Sequence, residues 1–127
     1  MDIVFIQALA IETIIGVFDW EREIKQTVIL DIDMAWDNAA AAVSDDLTDA
    51  LDYGAVSQRL IDYVAATEFQ LIEALAEQCC VIIQQEFNVP WLRLKLSKPG
   101  AVPEAVSVGL LLERGNKPVT TESGACS

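Results

Sequence analysis

The chain has 127 residues, the size of one domain, and 53% of them are hydrophobic against 22% charged, a composition that excludes a disordered chain. Eight basic against 20 acidic residues give a net charge of −12, so a nucleic acid or an anionic membrane surface would be repelled. There is no histidine, which excludes His-ligated zinc and Ser–His or Cys–His catalysis and leaves Lys, Tyr, Asp, Glu or water as a general base.

In chain order, residues 2–17 are predicted as a strand. Ile3, Phe5 and Ile6 begin it, Ile11, Thr13, Ile14 and Ile15 end it, and Gly16 permits a turn. Residues 18–26 (FDWEREIKQ) read as a polar loop. Residues 27–37 give the cleanest pattern: Val28, Leu30, Ile32, Met34 and Trp36 alternate with Ile29, Asp31, Asp33, Ala35 and Asp37. Period two means a strand with one buried face, paired with the first as a hairpin. Asp, Ser and Thr between 44 and 52 are turn and cap residues, and Ala39 to Ala42 is too short to count as a low-complexity tract.

A helix follows with Asp52 as its N-cap and Val56, Leu60, Tyr63 and Val64 on its apolar face. A second helix covers 70–87, with Leu71, Ile72, Leu75, Cys79, Ile82 and Ile83 as its stripe, and Pro90 marks its end. Residues 91–97 alternate again, with Leu92, Leu94 and Leu96 on one face and Trp91, Arg93, Lys95 and Ser97 on the other. Residues 98–103 (KPGAVP) form a loop, and 105–113 form the last strand, with Val106, Val108, Leu110 and Leu112 on one face. The expected domain spans 1–115, and residues 116–127, which have no periodicity, are expected to be a disordered tail.

The order is ββ, αα, ββ. Two helices covering one face of a four-stranded antiparallel sheet make an α+β sandwich. On the other face Asp31 and Asp33 stand opposite Arg93 and Lys95, and opposite charges on facing strands can pair. The residues favour a solvated face there over the lining of a shared interior.

Cys79 and Cys80 lie in an apolar helical stretch and read as core filling, while Cys126 reads as a free thiol on the tail. This usage points to a reducing compartment, hence the cytoplasm. No segment reads as a signal peptide or a membrane span. No phosphate loop, dinucleotide fingerprint or metal-ligand spacing is present, and the acidic cluster Asp45, Asp46, Asp49 and Asp52 reads as caps and loop rather than a metal site. By themselves Glu73 reads as a first-turn acid and Lys98 as an exposed lysine. Glu21 and Tyr53 are loop residues near element ends, where functions often lie.

Four segments taken together resemble the dihydroneopterin aldolase family of tunnelling-fold pterin enzymes: GVFDWERE (16–23), SDDLTDALDYGAVS (44–57), FQLIEALAE (69–77) and LRLKLSKPGAVPEAVSVGLLLER (92–114). The resemblance runs from about residue 2 to 116. Members often carry tyrosine where this chain has Phe18, which removes a hydroxyl near Glu21. It implies a ββααββ protomer that assembles into a ring-shaped barrel, a tetramer or octamer, with active sites between subunits. It also implies the folate-pathway cleavage of 7,8-dihydroneopterin into 6-hydroxymethyl-7,8-dihydropterin and glycolaldehyde, with epimerisation at C2′ as a side activity. Neither a metal nor an organic cofactor is implied.

Carried over residue by residue, Glu73 is the carboxylate that anchors the pterin, helped by the backbone at Ile72. Tyr53 is the pocket tyrosine, from an adjacent chain, and stands with Lys98 and Glu21 among the catalytic residues as well as binding the substrate. Lys98 shuttles protons, and Glu21 holds Lys98 or the substrate hydroxyls. The chemistry suits these residue types. An ionised carboxylate accepts two in-plane hydrogen bonds from an aminopyrimidine edge. The ring imine is already an electron sink, so no lysine Schiff base is needed. Which group holds the proton at each step is left open. Two alternatives remain: a dihydroneopterin triphosphate 2′-epimerase, with Arg22 and Lys25 near the site to meet a phosphate, and a non-catalytic pterin-binding oligomer.

Overall fold

The structure, a computed structural model, describes residues 1–117; Cys126 and all but the first two residues of the expected tail lie outside them. Four strands form one antiparallel sheet in the order β1-β2-β3-β4. They are β1 (Asp2–Thr13), β2 (Gln26–Trp36), β3 (Trp91–Pro99) and β4 (Ser107–Gly115). Between β2 and β3 come a short helix α1 (Ala39–Ser44) and two long ones, α2 (Tyr53–Ala65) and α3 (Ile72–Phe87). The long helices cover one sheet face, α2 against β1 and α3 against β3 and β4. The architecture is the expected α+β sandwich, with α1 as an addition.

The alternation in β2 and β3 decides which face is covered. Val28, Leu30, Ile32 and Met34 from β2 and Leu92, Leu94 and Leu96 from β3 are buried against Val56, Leu60 and Val64 of α2 and Leu75, Cys79 and Ile83 of α3. Such burial contributes about 2 kcal/mol per large side chain relative to leaving it in water. Trp36, expected on the buried face, is only partly buried at the strand's end. Across β2 and β3, Asp31 faces Lys95 and Asp33 faces Arg93. The expected charge pairing forms between Asp33 and Arg93, at 2.8 Å. Asp31 instead accepts a hydrogen bond from the Ala8 amide at 2.8 Å.

Several boundaries move. The first strand ends at Thr13 rather than 17, and a bulge at Ala8 (φ 56°) shifts its register between Ile6 and Leu9. The inward positions therefore change parity, from Val4 and Ile6 to Leu9, Ile11 and Thr13. The polar loop contains a 3-10 turn, Asp19–Arg22. The helix α3 ends on Asn88 in the left-handed region (φ 56°), two residues before Pro90. Leu71, expected in its stripe, is exposed. The strand β4 starts at Ser107, leaving Val106 in the loop and fully exposed. Asp52 caps α2 as expected, its carboxylate accepting the Ala55 amide at 2.9 Å.

Candidate active site

The loop after β1 carries the first catalytic candidate, and its shape depends on Gly16. That residue has φ +137°, a conformation L side chains rarely adopt. A Cβ there would come within 2.2–2.4 Å of the Glu21 carboxylate. Gly16 is therefore the floor on which that carboxylate rests. The 3-10 turn then directs Glu21 inward: its amide donates to the Phe18 carbonyl at 2.9 Å, and its Oε1 accepts the Phe18 amide at 3.3 Å.

Glu21 and Lys98 meet. The Lys98 ammonium donates to Glu21 Oε2 at 2.7 Å, and the residues are only 9% and 5% exposed respectively. Lys98 is thus a buried strand residue near the end of β3, not an exposed lysine at a loop. Gln26, the first residue of β2, donates to the same Oε2 at 3.1 Å and to the Ile15 carbonyl at 2.8 Å. These donors hold the Glu21 carboxyl down to about 2, with the Lys98 hydrogen bond first, Gln26 next and burial opposing them. Glu21 is therefore a carboxylate at neutral pH, and both residues line a cleft.

That cleft has a volume of about 480 Å³ and is lined by Gly16, Phe18, Trp20, Glu21, Ile72, Glu73 and Lys98, among others. Its far wall is the start of α3. The N-cap position there, Leu71, has extended backbone and makes no side-chain capping bond. The first-turn amides at Ile72 and Glu73 have no partner within the helix. Glu73 is exposed in the same turn. The structure therefore gathers Glu21, Lys98, Ile72 and Glu73 around one hollow. Phe18, Trp20 and Leu71, at 62%, 57% and 53% exposure, supply its apolar rim.

Tyr53 is elsewhere. It is the first residue of α2, exposed, and lines a separate hollow with Asp45, Asp46, Leu47 and Leu51. The acidic residues there are spent on turns and caps: Asp46 accepts from the Thr48 amide at 3.0 Å, Asp49 accepts from the Ser44 hydroxyl at 2.6 Å, and Asp52 caps α2. Among the described residues, no three His, Cys, Asp or Glu side chains stand together as a metal site would need. Arg22 and Lys25 are not among the cleft-lining residues. Arg22 spends its guanidinium on the carbonyls of Gly16, Glu68 and Phe69. Cys79 and Cys80 are buried free thiols, pushed up to about 12 and about 11 by burial, which makes them poor nucleophiles.

Sequence reasoning missed Gln26 and the packing role of Gly16. Gln26 carried no signal, since one glutamine in a polar stretch looks like a solvated residue. Gly16 was visible as a turn, but not as the surface under a carboxylate.

Comparison with known proteins finds relatives along most of the chain. The family model described as dihydroneopterin aldolase matches residues 4–113. The dihydroneopterin aldolase of Escherichia coli is 49% identical over 116 residues, covering 91% of this chain and 95% of that one. The Haemophilus influenzae dihydroneopterin aldolase is 45% identical over 115 residues, covering 91% and 98%. The crystal structure of the E. coli aldolase in complex with neopterin superposes with a TM-score of 0.89, covering 91% of this chain and all of that one. The dihydroneopterin triphosphate 2′-epimerase of E. coli is more distant, 27% identical over 110 residues.

Proposed function

This chain belongs to the dihydroneopterin aldolase family, carbon–carbon lyases of the folate pathway, and from that premise we propose the part that each of its residues plays. The substrate is 7,8-dihydroneopterin and the products are 6-hydroxymethyl-7,8-dihydropterin and glycolaldehyde. One observation carries the assignment of roles: a buried Lys98–Glu21 pair, 2.7 Å apart, shares a cleft with Ile72 and Glu73.

The Glu73 carboxylate accepts hydrogen bonds from the aminopyrimidine edge of the pterin, and the Ile72 backbone pairs beside it. The apolar rim packs against the ring faces. This places the hydroxylated side chain toward Lys98 and Glu21. A proton leaves the side-chain hydroxyl next to the bond to be cut. That oxygen becomes the carbonyl of glycolaldehyde as the carbon–carbon bond breaks. The bonding pair flows into the protonated ring imine, giving an enamine. A proton delivered to the carbon that remains attached to the ring, with loss of the proton from the ring nitrogen, then completes the hydroxymethyl product. Lys98 ferries these protons, directly or through water, and Glu21 fixes the direction of its ammonium. Readdition of the aldehyde by its other face gives the C2′ epimer as a side product. Neither metal nor organic cofactor enters the scheme.

Tyr53 lies outside the cleft of its own chain and reaches the pterin from a neighbouring subunit of a homo-oligomeric ring, tetramer or octamer, with sites between protomers. The domain is residues 1–115. Unpaired thiols at Cys79 and Cys80 favour the cytoplasm; among the described residues no helix is long and apolar enough to cross a membrane. The engagement of Arg22 with three carbonyls speaks against a triphosphate substrate.

The purified protein incubated with 7,8-dihydroneopterin is expected to release glycolaldehyde in step with 6-hydroxymethyl-7,8-dihydropterin. Epimerisation without aldehyde release, or no turnover, would contradict the aldolase reading.

A further inference from the structure

We propose that Arg22 is a positioning residue for this reaction, clamping the loop that carries Glu21 to the segment that leads into α3 and Glu73. The proposal rests on the roles assigned to the cleft above. Arg22 is half-buried. Its Nη1 donates to the Gly16 carbonyl at 3.0 Å and to the Phe69 carbonyl at 3.1 Å. Its Nη2 donates to the Glu68 carbonyl at 2.5 Å. The Phe69 carbonyl also accepts the Gly16 amide, at 3.2 Å. One guanidinium thus closes a junction between two chain segments that lie outside helices and strands.

Both ends of this clamp reach functional groups within a few residues. Gly16 is the floor beneath the Glu21 carboxylate, so displacement of Gly16 displaces the proton-handling pair. Glu68 and Phe69 precede Gln70, Leu71, Ile72 and Glu73, all of which line the cleft. The junction therefore sets the spacing between the carboxylate that clasps the ring and the pair that acts on its side chain. A planar guanidinium spans carbonyls from two segments at once, whereas an ammonium is a point donor. Misplacement by about 1 Å costs on the order of a hundredfold in rate when it falls on a reacting geometry.

The test compares the full-length wild type with Arg22→Ala and Arg22→Lys. Three quantities are measured: kcat and KM for 7,8-dihydroneopterin, and neopterin affinity by fluorescence titration. In Arg22→Ala, kcat/KM is expected to fall by roughly thirtyfold or more, with far-UV circular dichroism and particle mass unchanged. Arg22→Lys is expected to recover part of the loss. Guanidinium at tens of millimolar is expected to raise the turnover of Arg22→Ala above an equal concentration of sodium chloride, and to leave the wild type unaffected. A lower thermal midpoint with wild-type kcat, KM and affinity would make Arg22 merely structural and overturn the proposal. If Arg22→Ala does not fold, Arg22→Lys decides alone, and wild-type kinetics in it overturn the proposal. If the wild type releases no glycolaldehyde, the reading of the cleft fails instead. Neopterin affinities then still judge the clamp, and equal values in the three proteins overturn it.

Discussion

Glu21 is fastened by Lys98, Gln26 and the Phe18 amide while resting on Gly16. Its carboxyl is lowered from 4.5 to about 2 in the folded chain. A depressed carboxyl contributes stability above its unfolded value, and that contribution is lost as pH falls through the folded one. Its share is therefore complete above about pH 5 and drains away as pH falls toward 2, with an upper bound of roughly 3 kcal/mol. Glu21→Gln removes that share and leaves the buried Lys98 ammonium without its counter-charge. Denaturant titration at pH 7 is expected to show Glu21→Gln less stable by about 3 kcal/mol, with the gap closing toward pH 2. A gap that does not change with pH would contradict the ion pair. At this scale, the sequence alone marked Glu21, Tyr53, Glu73 and Lys98 only as residues worth notice. Their grouping came from the family resemblance, because no local spacing joins position 21 to position 98. The tertiary pairing of the β1–β2 loop with β3 does that.

Elements were legible where one side of a strand or helix is buried and the other is not. The strands β2 and β3 met that condition along most of their length, so period two gave them almost to the residue. The strand β1 did not, because the bulge at Ala8 exchanges its inward and outward positions halfway along. The helix α1 was missed for a related reason: it buries no residue, so Ala39 to Ala42 presents no stripe to read. Its neighbour α2 announced itself through its cap. Replacing that cap by Asp52→Ala leaves the Ala55 amide unpaired, and thermal or urea unfolding is expected to show a loss of about 1 kcal/mol. No loss would mean that water or the Tyr53 end of the helix satisfies the amide equally well. The same element carries Tyr53 at its first turn, so any fraying should register as weaker pterin binding.

At the scale of the whole molecule, each outer strand of the sheet, β1 with 12 residues and β4 with 9, has one edge with no partner strand among the described residues. Such edges invite another copy, and the outer sheet face adds exposed Ile3, Phe5 and Leu111 beside the Asp33–Arg93 pair. Light scattering at working concentration is expected to give a multiple of the 13.9 kDa chain mass. A monomer alone would contradict a pocket shared with a neighbouring Tyr53. Composition and order of elements made the sandwich readable from sequence, but they do not decide how copies associate, since edges look the same in a chain that pairs and one that does not. The division of labour within the cleft is tested most directly by titrating neopterin into Lys98→Ala and Glu73→Ala while assaying aldehyde release from each. Lys98→Ala is expected to bind like the wild type yet lose most of its turnover, and Glu73→Ala is expected to lose binding. Wild-type turnover in the first, or wild-type affinity in the second, would contradict it.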